Sequence, residues 1–176
     1  MYDIVLTSSL YLAKHVLQQY HYPSTHSLPL FDYATLARSS VMELGSGTGL
    51  LAILLSPLCK SYTASDLLIN LRLCSRNLQL NGINVMEDAG SGVRMEEIDW
   101  FDMATSRGYN TVTTSGQAYD LILAVDCVFN DALALPLINT MNRYCRTGSH
   151  TAALVVVELR SPEVVSVSYS RQTRPS

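Results

Sequence analysis

Val41-Met-Glu-Leu-Gly-Ser-Gly-Thr-Gly-Leu50 predicts a strand, a glycine turn and a helix in direct succession. Val41 to Leu44 is typical of a short buried strand, and the apolar run from Leu50 to Leu58 is typical of a helix. Glycines between a strand and a helix let the backbone turn sharply and let a ligand approach it closely. The stretch therefore predicts a ligand site at the carboxyl end of the first strand.

The spacing of the glycines in this turn disfavours a dinucleotide site. In a dinucleotide-binding fingerprint the third glycine stands three residues after the second, and here Leu50 occupies that position while Gly49 comes one residue earlier. The chain also lacks a Tyr-x-x-x-Lys pair and an evident acid for hydride transfer. A nicotinamide-binding Rossmann oxidoreductase stays an alternative, but a disfavoured one.

From residue 40 onward, segments typical of strands alternate with segments typical of helices. Strands are expected at 41–44, 61–65, 93–98, 119–125 and 151–159, and helices at 50–58, 67–80 and 130–146, after an amphipathic helix at 8–19 and a helical turn at 33–37. A mobile loop is expected at 101–118. This alternation predicts right-handed β-α-β units and a Rossmann-like, doubly wound α/β sheet. The uninterrupted apolar run at 119–125 predicts a strand buried on both faces, and Pro136 either breaks the last helix or opens its main segment.

Acidic side chains follow the second and third expected strands. Asp66 stands at the tip of the second strand, where a carboxylate can accept hydrogen bonds from both hydroxyls of a ribose. Asp99 and Trp100 follow the third strand and would frame an adenine, with Asp99 near its exocyclic amine and Trp100 against its face. Ligands of open α/β sheets bind outside the carboxyl ends of the strands, so we predict a nucleoside site there.

The composition predicts one globular domain. Of the 176 residues, 48% are hydrophobic and 15% are charged, and the formal net charge is -3. A nucleic-acid binder that works by general electrostatics needs a basic stripe, so no nucleic-acid partner is expected. The cysteines and histidines lack the spacing of metal ligands, so reduced thiols and no metal are expected.

The sequence contains neither a secretory leader nor an apolar run of the roughly 18 residues that a membrane span needs. We therefore expect a protein of the cytoplasm, and of the nucleus as well, without a membrane partner.

The segment after the fourth expected strand narrows the class of protein. Asp126-Cys-Val-Phe-Asn130 lacks the two prolines of the motif of base-methylating enzymes, and Cys127 lacks the preceding proline of cytosine methyltransferases. The segment resembles the D-x-x-Y/F signature of the seven-β-strand protein lysine methyltransferases, methyltransferase family 16, and most of all their fungal ribosomal-protein branch. Glu43 to Gly49 resembles motif I of class I, S-adenosylmethionine-dependent methyltransferases, and Asp99-Trp100 resembles the family's LDW segment. The resemblance runs from about Val5 to Val165.

This resemblance implies a methyltransferase domain at 1–165 and a polar, disordered tail at 166–176. It implies S-adenosyl-L-methionine as the cofactor and, as the substrate, a protein that carries the target lysine, with a ribosomal protein as one candidate. Asp126 and Phe129 would be the catalytic residues, although Asp126 could instead cap the helix that begins near Asn130. Glu43 would hold a water or the ammonium group of the cofactor. The residues expected to bind the cofactor are Glu43, Gly45, Gly47, Gly49, Asp66, Asp99, Trp100 and Asp126.

Two departures from the family pattern qualify these expectations. Leu6 stands where the family usually has a tryptophan that covers the cofactor. Residues 166–176 are polar where family members add a hairpin that gives the strand order 3-2-1-4-5-7-6. We therefore expect the order 3-2-1-4-5 without the last two strands, in a chain truncated at its C-terminus. The corresponding alternative function is a fragment that binds the cofactor without turnover.

Overall fold

The computed structural model describes residues 7–26, 28–86, 92–103, 119–128, 130–145 and 151–157. Its helices are α1 (Thr7–His21), α2 (Tyr33–Leu36), α3 (Leu50–Leu55), α4 (Leu68–Leu80), α5 (Trp100–Met103) and α6 (Ala134–Tyr144). Its strands are β1 (Ser40–Leu44), β2 (Ser61–Asp66), β3 (Val85–Met86), β4 (Val93–Glu97), β5 (Leu121–Val125) and β6 (Ala152–Val156). Two 3-10 turns, Ser56–Leu58 and Asp131–Leu133, follow α3 and precede α6.

The described strands form one parallel sheet in the order β3-β4-β2-β1-β5-β6. β1 lies between β2 and β5, so the chain builds outward from it in both directions, which is the doubly wound α/β arrangement that the sequence predicts. The order β4-β2-β1-β5-β6 confirms the expected order 3-2-1-4-5. The expectation that two further strands are lacking concerns residues beyond 157, outside the described part.

Side chains of the sheet alternate between two apolar layers. On one face, Val41 and Tyr62 pack in a core that includes buried residues of α1, α3 and α4. On the other face, Met42 and Leu44 pack with Leu137 of α6. Every residue of β5 is buried, which confirms the strand predicted to be covered on both faces.

The ends of the helices follow from particular residues. α4 ends at the expected stop, where Gly82 adopts a left-handed φ of 72°. Pro136 lies in the first turn of α6, so it opens this helix rather than breaking it. The side-chain oxygen of Asn130 caps the preceding 3-10 turn by accepting a hydrogen bond from the Leu133 amide at 3.2 Å. The alternative in which Asp126 is this cap is therefore wrong.

Two short elements differ from the expectation. β3 has only two residues and extends the sheet beyond β4, too short a run for alternation to indicate a strand. α5 occupies the start of the expected loop, because Asp99 Oδ1 accepts a hydrogen bond from the Phe101 amide at 2.8 Å at the beginning of a helical turn. The expected loop is thus wrong for 101–103, and both residues 104–118 and the expected tail at 166–176 lie outside the described part.

Candidate functional site

A cavity of about 400 Å³ opens at the carboxyl ends of β1, β2 and β5. This is the position at which open α/β sheets bind ligands, because the chain leaves the sheet in opposite directions there. Its walls come from the glycine turn after β1, the end of β2, the start of α5 and the end of β5. The lining residues include Gly45, Ser46, Gly47, Thr48, Asp66, Leu67, Asn70, Ile98, Asp99, Trp100, Phe101, Val125, Asp126 and Cys127.

The glycine turn leaves space that side chains would fill. Gly47 has a left-handed φ of 53°, and a Cβ added to it would meet no atom within 4 Å, so its backbone is open to a ligand. Gly45 is enclosed instead, since an added Cβ would lie 3.0 Å from Cys127 Sγ and 3.3 Å from the Trp100 ring. The turn thus offers bare backbone on the cavity side, as a cofactor of the nucleoside class requires.

Contacts with neighbouring elements hold the turn in place. The Gly45 and Ser46 amides both donate to the Ser65 carbonyl at 2.9 Å, which ties the turn to β2. On the α4 side, Asn77 Nδ2 donates to the Thr48 carbonyl at 2.9 Å. Gly49 packs so closely against α4 that an added Cβ would lie 2.7 Å from Cys74 Sγ. Gly49 therefore has a packing role and is not among the lining residues.

Asp66 lines the cavity with both carboxylate oxygens already engaged. Oδ2 accepts a hydrogen bond from the Gly47 amide at 2.7 Å. Oδ1 accepts one from the Leu67 amide at 2.7 Å and one from Asn70 Nδ2 at 2.8 Å. The predicted ribose residue is thus also a link between β2, the glycine turn and α4.

Asp99, Trp100 and Asp126 complete the predicted lining. Asp99 and Trp100 both reach the cavity, although Asp99 also starts α5 through its bond to the Phe101 amide. Asp126 lies directly after β5 with a φ of 57°, and its amide donates to the Val156 carbonyl at 2.8 Å. Phe129 lies outside the described residues. The sequence-based set therefore converges on one cavity, apart from Glu43 and Gly49.

Glu43 lies beneath the glycine turn, at the end of β1, and is not among the lining residues. Its side chain is 3% exposed, and Oε2 accepts a hydrogen bond from the Tyr62 hydroxyl at 2.9 Å. Burial raises the pKa of the Glu43 carboxyl to about 8; the Tyr62 hydrogen bond opposes this rise and the charge of Asp66 adds to it. Glu43 is therefore largely protonated at neutral pH, and its expected contact with an ammonium group stays a prediction.

The charge of the cavity favours a cationic ligand. Its described lining contains the carboxyl groups of Asp66, Asp99 and Asp126 but no lysine, arginine or histidine. Such a surface attracts a sulfonium or ammonium group and repels the pyrophosphate of a dinucleotide.

Burial raises the pKa of the Cys127 thiol, so this cysteine is a packing group rather than a nucleophile.

Two amide side chains of α4 at the site were not predicted from the sequence. Asn70 lines the cavity beside Asp66, and Asn77 holds the Thr48 carbonyl. They stand seven residues apart on one helix face, which is the one signal that relates them.

Among the described residues, no cluster of His, Cys, Asp and Glu could hold a metal ion. In the same part of the chain, no helix is long and apolar enough to cross a bilayer.

The fold is similar to that of a solved O-methyltransferase family protein from Burkholderia thailandensis. The TM-score is 0.55 at 17% sequence identity, and the match covers 81% of this chain and 39% of that one. Sheet order and the cavity at the strand ends define a Rossmann-like domain of the class I methyltransferase type. The chain belongs to the lysine methyltransferase family, whose sequence model matches residues 1–168.

Curated relatives match about three quarters of the chain. Ribosomal lysine N-methyltransferase 5 of Lachancea thermotolerans is 25% identical over 162 residues, which cover 79% of this chain and 48% of that protein. Methyltransferase-like protein 22 of Mus musculus is 28% identical over 149 residues, with 76% and 38% covered. Diaminohydroxyphosphoribosylamino-pyrimidine deaminase of Schizosaccharomyces pombe is 30% identical over 139 residues, with 78% and 31% covered. The chain thus spans less than half the length of each of these relatives.

Proposed function

We propose that this chain carries the cofactor site and the reacting residues of an S-adenosylmethionine-dependent protein-lysine methyltransferase. The observation that carries the proposal is the cavity itself, where bare glycine backbone meets three carboxyl groups and, in the described lining, no basic side chain. Membership of the lysine methyltransferase family supports the reaction class. The same charge pattern, with the glycine spacing, disfavours a nicotinamide cofactor.

Residues around the cavity divide between the parts of the cofactor. Gly45 and Gly47 would lie against its amino-acid part, Asp66 would bind the ribose, and Asp99 with Trp100 would frame the adenine. When bound, the cofactor supplies a methyl group on a positively charged sulfur. The carboxyl groups of the lining would compensate that charge, because opposite charges attract strongly in a partly enclosed site.

A lysine must react as a neutral amine, although its ordinary pKa is about 10.4. Near pH 7.4 the neutral form is disfavoured by about 4 kcal/mol, so the site must remove water and align the amine. Asp126 would hold the arriving ammonium group at the end of β5. A nearby carboxylate also favours the charged form, so the role of Asp126 is positioning rather than proton removal. Phe129 would form an apolar wall against the lysine stem.

The substrate is proposed as a protein, and a ribosomal protein is the candidate that the names of two relatives suggest. The deaminase name belongs to a protein of which the chain matches only 31%, so it assigns no deamination to this chain. We propose the cytoplasm, and the nucleus as well, as the place of action.

The test incubates the purified chain with a cell extract and cofactor labelled on its methyl group. We expect label on lysine side chains, identified by mass spectrometry, and its loss in the Asp66→Ala variant. Label on arginine or on nucleic acid would contradict the proposed substrate class.

A second candidate function is cofactor binding without turnover. It is favoured by the coverage of the relatives, since residues that complete the substrate site can lie in the parts that the chain does not match. Binding of S-adenosylhomocysteine without any transfer of label would select this candidate.

A further inference from the structure

The Asp66 carboxylate has little room for a ligand. An ionised carboxylate offers about four acceptor positions. Three are taken: the Gly47 amide bonds Oδ2, while the Leu67 amide and Asn70 Nδ2 bond Oδ1. One position is therefore left, on Oδ2. A ribose has two neighbouring hydroxyls, each of which needs an acceptor when it is removed from water.

The side-chain amide of Asn70 lies beside this carboxylate and lines the same cavity. Its Nδ2 donates to Asp66 Oδ1 at 2.8 Å, which fixes the amide in the first turn of α4. Its oxygen Oδ1 can accept two hydrogen bonds, and within the described residues no donor bonds it. Asn70 thus offers the acceptor that Asp66 lacks.

We propose that Asn70 is a cofactor-binding residue whose Oδ1 accepts a hydrogen bond from one ribose hydroxyl, while Asp66 Oδ2 accepts one from the other. The inference rests on the proposed function and deepens it. In this arrangement the two ribose hydroxyls are bound by two side chains four residues apart, and not by Asp66 alone. The hydrogen bond between the two side chains keeps their acceptors in a fixed relation, so the pair selects a ribose over a deoxyribose.

The experiment measures calorimetric affinities for S-adenosylhomocysteine and for its 2′-deoxy and 3′-deoxy analogues. The proteins are the unaltered chain, Asn70→Leu and Asn77→Leu. Leucine has the branching and the number of side-chain heavy atoms of asparagine, so it covers the position on Asp66 Oδ1 that the amide leaves and keeps a ribose hydroxyl from taking it. Asn77→Leu is the matched control, because it removes an amide from the same helix that holds the Thr48 carbonyl rather than the ribose.

In the unaltered chain, we expect the analogue without the hydroxyl that Asn70 binds to bind roughly three- to tenfold more weakly than S-adenosylhomocysteine, the value of a hydrogen bond between neutral groups. The analogue without the hydroxyl that Asp66 binds should bind roughly ten- to hundredfold more weakly, because that acceptor is charged. In Asn70→Leu, one analogue should bind within twofold of the affinity for S-adenosylhomocysteine. The other analogue should remain as much weaker as in the unaltered chain. In Asn77→Leu, all three ligands should weaken together and both penalties should persist.

Persistence of both penalties in Asn70→Leu would overturn the inference, because Asp66 would then hold both hydroxyls. Failure of the unaltered chain to bind S-adenosylhomocysteine would instead overturn the proposed function, and this inference with it.

Discussion

At the scale of single residues, Asp126 has a backbone conformation that few residues other than glycine adopt. Its φ of 57° lies in the left-handed region, where aspartate and asparagine are the best tolerated of the other residues. Its amide is fixed by the Val156 carbonyl, so the neighbouring strand enforces the conformation. Strain of this kind persists where the surroundings over-determine it, commonly at functional sites. The placement of its carboxyl group at the cavity agrees with a role in positioning substrate.

Asp126→Asn tests that role, since asparagine tolerates the same backbone, removes the charge and replaces one acceptor oxygen by an NH2 donor. We expect initial rates of methyl transfer in the folded variant to fall at least about tenfold. Asp131→Asn, at an exposed aspartate outside the cavity lining, is the matched control and should keep the parent rate. A rate within twofold of the parent in Asp126→Asn would leave Asp126 without a catalytic role.

Glu43 predicts a pH dependence of stability. Its pKa is raised from an ordinary value of 4.5 to about 8, so between these values the folded protein holds a proton that the unfolded chain has lost. The free energy of unfolding should therefore fall as pH rises through this window, by up to about 1.4 kcal/mol per pH unit. Denaturant titrations from pH 5 to pH 8 should show this slope reduced in Glu43→Gln, which keeps an acceptor for the Tyr62 hydroxyl. Glu97→Gln, at an exposed strand end, should keep the parent slope, and an equal slope in both variants would refute the assignment.

Carboxylates at strand ends can be found in a sequence because their position follows from the order of the strands. Asp66, Asp99 and Asp126 were predicted in this way, and all three line the cavity. The position of Asn70 at the cavity could not be predicted, because it depends on how the first turn of α4 packs beside the Asp66 carboxylate. The contact of Glu43 with a ligand stays a prediction, and its strand position alone does not tell that the side chain is buried and is not among the lining residues.

At the scale of elements, two glycines have similar φ values but differ in how closely their surroundings pack, so comparing them distinguishes backbone strain from close packing. Gly49 and Gly82 have φ values of 81° and 72°. An added Cβ would lie 2.7 Å from Cys74 Sγ at Gly49 but would meet nothing within 4 Å at Gly82. Gly49 therefore marks the contact that presses the turn against α4, and Gly82 only ends that helix.

Alanine substitutions should reflect this difference. Gly82→Ala should lower the free energy of unfolding by about 1 to 2 kcal/mol, the strain of a left-handed residue. Gly49→Ala should lower it by about 1 to 3 kcal/mol more, since overpacking adds to the strain. It should also weaken S-adenosylhomocysteine binding, which Gly82→Ala should leave unchanged. Equal effects of the two variants on stability and binding would contradict the packing role.

Elements were predictable where their periodicity was long enough. The five longer strands and the helices α1, α4 and α6 have clear apolar patterns, and the sheet order is the one that the family resemblance implies. β3 was not predictable, because two residues carry no alternation. α5 begins at a cap, Asp99, whose place after a strand predicts only a ligand group. One residue can serve both purposes, and a sequence pattern does not reveal the second.

At the scale of the whole molecule, β6 is an edge of the described sheet, since it pairs with β5 alone. Val155 in this strand is 45% exposed. Apolar edge strands invite pairing with other chains, and a charged side chain at the edge opposes it. Val155→Lys should therefore slow aggregation on heating, measured by light scattering. Leu80→Lys adds the same charge at an exposed leucine of α4 and should keep the parent rate; equal rates in the two variants would refute an edge-driven mechanism.

Binding of an S-adenosyl cofactor in the cavity after β1, β2 and β5 is measured by calorimetric titration with S-adenosylhomocysteine. We expect saturable binding with one site per chain, and no heat from NADH in the parallel titration. Asp66→Ala should weaken the binding by about 1.5 to 3 kcal/mol, because it removes a charge-assisted contact and frees the Gly47 amide. Absence of S-adenosylhomocysteine binding would show that this cavity is not the cofactor site, and unchanged affinity in Asp66→Ala would show that Asp66 does not bind the ribose.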